Sequence, residues 1–447
     1  MTGRERLTAT LNHQQPDRTV IDLGGTSQTG INASTLYRFR KALGLPEKPI
    51  TITEPGQLLG EVDYDVINAV GADVIGLLNP TNFFGYKNEN WKPWTMDDGT
   101  PVLMGGGFEY DEDEKGTKFV YPQGDRTAEY SSMIPKGGSF FDAVPREKFD
   151  FDLDEEDLTP LEDFKDDFSV VDDETAKYCE KKSYELYNNT DLGVVGMLGG
   201  GALGDAAVIP GPAVKHPRGI RRVDDWLMAH AMYPDYIKAV FRYQTDIMLK
   251  NLEIYKEAVG DRIQVVWISG TDFGNQRGPM ISLNTFRELY KPFYKEICDW
   301  VHKNTGWKTF FHTCGAIYDF LDDFAEMGLD CLNPLQLSAN GMDPVKIKEN
   351  YGDKFTFWGG RRKSGPRSGS ALISWEKAGD TYLILSTILW PAFRPKIFWL
   401  CMTKQKNKEQ KIRRSLCFRS GTPDLFAVLS PGLSMSRGFR KISHTKI

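Results

Sequence analysis

The chain has 447 residues, 40% of them hydrophobic and 12% aromatic, which is typical of folded globular proteins and too long for one small core. Either one large α/β barrel with insertions or two domains fits this length. The longest apolar stretch, near 382–393, is shorter than the roughly 18 residues of a membrane-spanning helix, so we predict no membrane association. Six cysteines without a short-spaced framework and a polar N-terminus predict reduced thiols in a cytoplasmic protein.

The predicted elements begin in α/β order. Before residue 85 we predict a strand at 19–23, helices at 33–43 and 59–70, and a buried strand at 72–77. A helix followed by a buried strand is typical of a parallel α/β sheet. We take 1–84 as an N-terminal segment with the first barrel strand. Short β-like runs at 101–104 and 117–121, separated by turn residues, predict a hairpin-rich inserted lid over 85–175.

The α/β order returns over 176–360. We predict strands at 192–198, 263–268, 307–312, 330–332 and 355–359. Long amphipathic helices are predicted between these strands. One spans 234–259, and another begins after Ser282, which is its predicted N-cap. Small or polar residues follow each strand. In (β/α)8 barrels the loops after the strands form the catalytic face, so the candidate site residues fall on that face.

His312 and Cys314 are the first candidate metal ligands, at the end of the strand predicted at 307–312. Imidazole nitrogen and cysteine thiolate both suit Zn²⁺, and a catalytic zinc site needs three protein ligands with one position open. A histidine at a strand end beside a buried structural thiol is the alternative interpretation of the same pair.

Five motifs together resemble the uroporphyrinogen decarboxylase superfamily, and within it the corrinoid-dependent methyltransferases. They are DLGGT at 22–26, SGTDFG at 269–274, HTCG at 312–315, GLDCLNPLQ at 328–336 and FWGG at 357–360. The resemblance covers about residues 1–360. It implies a TIM (β/α)8 barrel and a cytoplasmic enzyme.

The resemblance implies methyl transfer between a small-molecule donor or acceptor and a corrinoid carried on a partner protein. In the similar methyltransferases an H-x-C pair and a downstream cysteine hold zinc, which activates a thiolate or the methyl-bearing heteroatom as a Lewis acid. His312 and Cys314 would be ligands here, with the Cys314 thiolate also catalytic. Neither nucleic acid nor a membrane is predicted as a partner.

Tetrapyrrole decarboxylation is the alternative function. True decarboxylases carry an N-terminal Arg-rich motif that holds the substrate's carboxylates, and an Asp after the strand that corresponds to 73–77. Here no arginine follows Gly24 until Arg38, and 77–80 contains no carboxylate. A substrate with many carboxylates needs several fixed cations, so methyl transfer suits these residues better. An inactive remnant is the second alternative.

The other candidate site residues each have a structural alternative. Cys331 is the third predicted zinc ligand or a buried thiol. Asp272 is a ligand, a general base, a partner that orients His312, or a loop cap. Asn79, Asn333 and Gln336 bind substrate or satisfy loop backbone.

Residues 361–447 depart from the family pattern. They hold 18 Lys and Arg against 4 Asp and Glu, although the net charge of the whole chain is −6. This atypical basic tail also loses the helix and strand periodicity. We interpret it as the product of a frameshift, in which the tail is translated out of its ancestral reading frame. Such a change would disrupt the last βα units and could remove the third zinc ligand. A genuine basic appendage is the alternative.

Overall fold

The computed structural model describes residues 1–146 and 158–359, together with the backbone of Leu383–Leu385. An eight-stranded parallel sheet dominates this part of the chain. We number its strands β1 to β8 in chain order: Val20–Ile21, Val74–Leu78, Gly193–Met197, Val265–Ser269, Lys308–His312, Cys331–Asn333, Thr356–Trp358 and Leu383–Leu385. In space they follow the order β1, β8, β7, β6, β5, β4, β3, β2, and every neighbouring pair is parallel.

The first and last strands of this order, β1 and β2, approach each other at Asp73. The Asp73 backbone N–H donates to the Ile21 carbonyl at 2.7 Å, and its carboxylate accepts from the Ile21 N–H at 2.9 Å. Arg6 and Arg18 each donate to the same buried carboxylate at 2.6 Å. The α/β class with a parallel sheet is therefore confirmed, whereas closure into a complete (β/α)8 barrel stays a prediction.

Helices lie between the strands. The α-helices of the described residues are Gly3–Leu11, Ala33–Ala42, Tyr64–Val70, Pro160–Asp163, Asp173–Asn189, Val223–Met232, Pro234–Val259, Leu283–Thr285, Lys291–Asn304, Leu321–Glu326 and Pro344–Tyr351. Ser282 is the predicted N-cap and accepts from the Thr285 N–H. The turn before Pro292 is π-helical over Phe286–Tyr290, as expected where proline removes a backbone donor.

One helix prediction began too early. Residues 59–70 were predicted as a helix, but Leu59–Gly60 forms a short strand and the helix spans only Tyr64–Val70. Leu59–Gly60 pairs antiparallel with both Ile31–Asn32 and Ile50–Glu54. The apolar pattern of this segment does not predict these backbone pairings.

Hairpins occupy much of the predicted insertion. Antiparallel strands lie at Lys92–Thr95, Pro101–Met104, Tyr110–Glu112, Lys118–Val120, Ser132–Ile134 and Asp142–Ala143. The insertion contacts the loop that follows β3: Gln123 Nε2 donates to the Ala213 carbonyl at 3.0 Å, and Lys215 Nζ lies 2.7 Å from Asp125 Oδ2. A lid function and the domain boundaries at 84, 175 and 360 stay predictions.

A small part of the tail belongs to the sheet. The backbone of Leu383–Leu385 pairs with β7 on one side and with β1 on the other. The predicted disruption of the last βα units otherwise concerns residues outside the described ones. Within the described residues, no helix combines the length and apolar character needed to cross a bilayer.

Apolar side chains fill the inner face of the sheet. Val20, Val74, Val195, Val265 and Phe310 are fully buried in one cluster with Cys331 and Trp358. Trp267, on the fourth strand, is 9% exposed and belongs to the same cluster. This packed interior supports the loops after the strands, where the candidate site residues lie.

Candidate metal site

Three side chains converge where β4 and β5 end. One ligand atom from each of Asp272, His312 and Cys314 lies within 4.8 Å of the other two. Cys314 Sγ is 3.4 Å from His312 Nε2, and His312 Nε2 is 3.8 Å from Asp272 Oδ1. We call these three residues the metal group. Their sulfur, nitrogen and oxygen atoms are the donors that zinc takes in proteins, and three protein ligands are what a catalytic zinc site needs.

Loop geometry brings the metal group together. His312 is the last residue of β5, and Asp272 lies three residues after the end of β4. The Asp272 carboxylate accepts from the Cys314 backbone N–H at 2.6 Å, which holds the two loops against each other. The side chains of Asp272 and His312 are 19% and 12% exposed, so each keeps a small part of its surface in contact with solvent.

Gly315 allows the close approach of these loops. Its φ is +92°, and an added Cβ would lie 2.2 Å from the carbonyl carbon of Gly274. Both the backbone conformation and the space therefore require glycine. The HTCG motif thus supplies two candidate ligands and the turn that positions them.

Asn333 fixes the orientation of the His312 ring. Residues 312 and 333 are register partners on β5 and β6, and His312 Nδ1 lies 2.6 Å from Asn333 Oδ1. Asn333 Nδ2 donates to the Trp358 carbonyl at 2.6 Å, which assigns the amide oxygen to the imidazole. Nδ1 of a neutral ring therefore carries the proton, and the lone pair of Nε2 faces Cys314 and Asp272.

A buried carboxylate supports Trp358 in turn. Trp358 Nε1 donates to Asp22 Oδ2 at 2.8 Å, and the Gly25 N–H donates to Asp22 Oδ1 at 2.8 Å. Burial raises the pKa of Asp22 to about 6, while these hydrogen bonds act in the opposite direction. Contacts therefore extend from the DLGGT motif through Trp358 and Asn333 to the metal group.

Cys331 is not part of the metal group. It pairs in register with Phe310, two residues before His312, and its side chain is fully buried. Burial raises the pKa of its thiol well above the ordinary value. Among the described residues, the third member of the metal group is Asp272, which the sequence also indicated as a possible ligand.

The residues predicted to bind substrate have protein partners. Asn333 is 2% exposed and uses both amide atoms as described above. Gln336 accepts from the Gly315 N–H at 2.8 Å and donates to Gln276 at 2.9 Å. Asn79 accepts from the Thr81 N–H at 2.9 Å at the end of β2. We therefore interpret Asn333 and Gln336 as positioning residues for the HTCG loop.

Sequence reasoning missed three polar residues close to this site. Asp205, Gln28 and Trp267 all lie near Gly270, which precedes Asp272 by two residues. Burial, together with the nearby charge of Asp272, raises the pKa of Asp205 to about 7. None of the three belongs to a motif with a distinctive spacing, so the sequence contained no signal for them.

Comparison with known proteins supports the resemblance. Residues 215–359 match the uroporphyrinogen decarboxylase (URO-D) family model, and the superfamily that the motifs predict is the one this region is similar to. A search of curated proteins found no significant match. A solved structure of a methyltransferase from Methanosarcina mazei aligns with a TM-score of 0.48 and 14% identity, over 91% of this chain and 99% of that chain.

Proposed function

We propose that the protein is a zinc-dependent methyltransferase with a URO-D-like (β/α)8 barrel, which moves a methyl group between a small molecule and a corrinoid carried on a partner protein. The convergence of Asp272, His312 and Cys314 at the carboxyl end of the parallel strands carries this proposal. All three offer donors that zinc accepts. The proposal includes cytoplasmic localisation.

The residues of this chain would act by binding and orientation. Bound zinc would supply Lewis acidity to the thiolate or the methyl-bearing heteroatom of the substrate. Asn333 keeps the proton on His312 Nδ1, so Nε2 offers its lone pair. Asp272 holds the Cys314 backbone through its Oδ1 atom and places a carboxylate beside the imidazole. The buried apolar cluster in the interior of the sheet would exclude water from that side of the site.

Charge near the site favours methyl transfer over tetrapyrrole decarboxylation. Asp205 and Asp272 place two carboxyl groups there, and the charge of Asp272 is one cause of the raised pKa of Asp205. A substrate with several carboxylates would meet like charge at these two side chains. The URO-D family match keeps decarboxylation as the second candidate function, with the inactive remnant after it.

Metal analysis of the purified full-length protein tests this proposal. We expect about one zinc per chain in the wild type and loss of zinc in His312→Ala and in Cys314→Ser. Cys331→Ala is the matched control and should retain zinc, because Cys331 lies outside the metal group. Equal zinc in the wild type and Cys314→Ser would contradict the proposal.

An activity measurement separates the two candidate reactions. Methylcobalamin can serve as the methyl-bearing corrinoid and a small thiol as acceptor, with uroporphyrinogen tested in parallel. We expect zinc-dependent loss of the methyl group from methylcobalamin and no turnover of uroporphyrinogen. Turnover of uroporphyrinogen in zinc-free protein would favour the decarboxylase instead.

A further inference from the structure

A buried hydroxyl group joins the two loops that follow β3 and β4. Tyr294, in the helix Lys291–Asn304, is fully buried, and its hydroxyl lies 2.7 Å from Ser269 Oγ and 3.1 Å from Thr271 Oγ1. The same hydroxyl accepts from the Leu203 N–H at 3.1 Å. Ser269 is the last residue of β4, and Leu203 lies in the loop after β3. We call Tyr294, Ser269 and Thr271 the hydroxyl cluster.

Each hydrogen of the hydroxyl cluster has an acceptor. The Thr271 hydroxyl donates to the Leu203 carbonyl at 2.8 Å, so Thr271 Oγ1 acts as an acceptor within the cluster. Ser269 Oγ donates to it at 3.1 Å, which leaves the Tyr294 hydrogen for the 2.7 Å contact with Ser269 Oγ. Burial raises the pKa of Tyr294 above its ordinary value, so this hydrogen is present at neutral pH. Loss of one hydroxyl therefore removes a partner from buried polar groups, which is costly.

The hydroxyl cluster adjoins a member of the metal group. Thr271 directly precedes Asp272, and its backbone N–H donates to Ser269 Oγ at 3.1 Å. On the other side of Asp272, the Phe273 N–H donates to the buried Thr313 Oγ1 at 2.9 Å. A side-chain hydroxyl thus holds the backbone on each side of Asp272, whose carboxylate is bound by the HTCG loop.

We propose that Tyr294 is a positioning residue for the metal group. Its hydroxyl holds the start of the loop after β4 against the loop after β3, and thereby sets the position of the Asp272 carboxylate. The Tyr294 ring packs edge-on against Phe311, with the centroids 4.9 Å apart, and Phe311 directly precedes His312. One side chain therefore contacts both β4 and β5, the two strands beside the metal group. The inference rests on the proposed function only for the statement that the metal is zinc.

The Cys314 amide reports the position of Asp272 in the full-length protein without any metal. Its N–H donates to Asp272 Oδ1 at 2.6 Å, and a short hydrogen bond to a carboxylate moves an amide proton resonance downfield. Labelling with ¹⁵N-cysteine gives at most six amide signals, and Cys314→Ser identifies the one required. In Tyr294→Phe, which removes only the hydroxyl, we expect an upfield shift and exchange with solvent at least about fivefold faster. An unchanged Cys314 amide would overturn the proposal.

Control variants separate positioning from a general loss of stability. Tyr236→Phe also removes a buried hydroxyl, which donates to Asp163 Oδ2 at 2.9 Å outside the hydroxyl cluster, and it should leave the Cys314 amide unchanged. Thr271→Val should move the resonance as Tyr294→Phe does, whereas Thr271→Ser keeps the hydroxyl and should restore the wild-type position. The Thr271 pair carries the test if Tyr294→Phe folds poorly. Equal shifts in Thr271→Val and Thr271→Ser, or a shift in Tyr236→Phe, would contradict the proposal.

Metal binding extends the test to the whole metal group. Zinc affinity should fall by about tenfold or more in Tyr294→Phe and stay at the wild-type value in Tyr236→Phe. Co²⁺ in place of zinc should show altered visible absorption bands in Tyr294→Phe, because a displaced carboxylate changes the coordination geometry. Wild-type affinity and wild-type bands in Tyr294→Phe would rule out the positioning role. A wild type that binds no metal, together with a shifted Cys314 amide in Tyr294→Phe, would end the proposed zinc enzyme alone and support the positioning of Asp272.

Discussion

His312 Nδ1 and Asn333 Oδ1 face each other at 2.6 Å across neighbouring parallel strands. The Asn333 amide cannot easily rotate, because its Nδ2 donates to the Trp358 carbonyl. This pair therefore determines which imidazole nitrogen is available to a metal. Asn333, which the sequence indicated as a substrate contact, thus also supports a candidate ligand.

Replacement of Asn333 should weaken zinc binding while the fold persists. In Asn333→Ala the imidazole loses its acceptor at Nδ1, so we expect zinc affinity to fall by about 10- to 100-fold. Competition with a chromophoric chelator measures the affinity, and ¹⁵N chemical shifts of His312 report the tautomer. Asn350→Ala, at an exposed helical position, is the control. Wild-type affinity together with an unchanged His312 tautomer in Asn333→Ala would contradict this prediction.

Replacement of Gly315 should disrupt the loop that carries Cys314. Gly315→Ala combines an unfavourable φ of +92° with a backbone clash against Gly274. We expect the free energy of unfolding to fall by about 2 kcal/mol or more, with loss of zinc. Chemical denaturation measures the first effect and metal analysis the second. Gly306→Ala serves as the control, and equal stability of both variants would show that the loop adapts to a side chain.

The charge of Asp205 should make stability depend on pH. Burial raises its folded-state pKa from 3.8 to about 7, so the folded protein holds this proton more tightly than the unfolded chain does. The contribution to stability is complete below about pH 4 and is lost as pH rises through 7, at no more than about 1.4 kcal/mol per pH unit.

Asp205→Asn removes this titration. With a chelator present, we expect the free energy of unfolding of the wild type to fall between pH 4 and 7 more steeply than that of Asp205→Asn. Urea denaturation at several pH values measures both slopes. Parallel curves for the two proteins would show that Asp205 has no raised pKa in the folded state.

Removal of the Asp73 carboxylate should destabilise the junction of β1 and β2. Asp73→Ala leaves Arg6 without its buried partner, Arg18 without two hydrogen bonds and the Ile21 N–H without its acceptor. We expect a loss of about 3–5 kcal/mol of stability, measured by chemical denaturation. Asp261→Ala, at an exposed position, should change stability by less than about 0.5 kcal/mol. Similar stability for both variants would contradict this role.

Sequence reasoning was most successful where residue type and spacing are both restrictive. The helix predicted at 234–259 has the same bounds in the structure, because its apolar positions repeat over many turns. The H-x-C spacing indicated His312 and Cys314, and the structure brings their ligand atoms to 3.4 Å. Asp272 was also a candidate, although loop capping explained it equally well from sequence.

Strand register limited the rest of the site prediction. Cys331 was assigned to the metal because it lies on the strand next to His312, but its register partner is Phe310. A shift of two residues along a strand keeps a side chain on the same face and moves it by about 6.6 Å. The partners of Asn333 also depend on contacts between distant segments, which a single sequence does not reveal.

The hydrogen bond from Trp358 to Asp22 joins β7 to the residue that follows β1, although β8 lies between these two strands in the sheet. The orientation of the Trp358 indole relative to β1 is therefore held without help from the intervening segment. During evolution, selection on the site should act on these two residues more strongly than on the stretch that supplies β8. Homologous genes should accordingly vary more in that stretch than at positions 22 and 358.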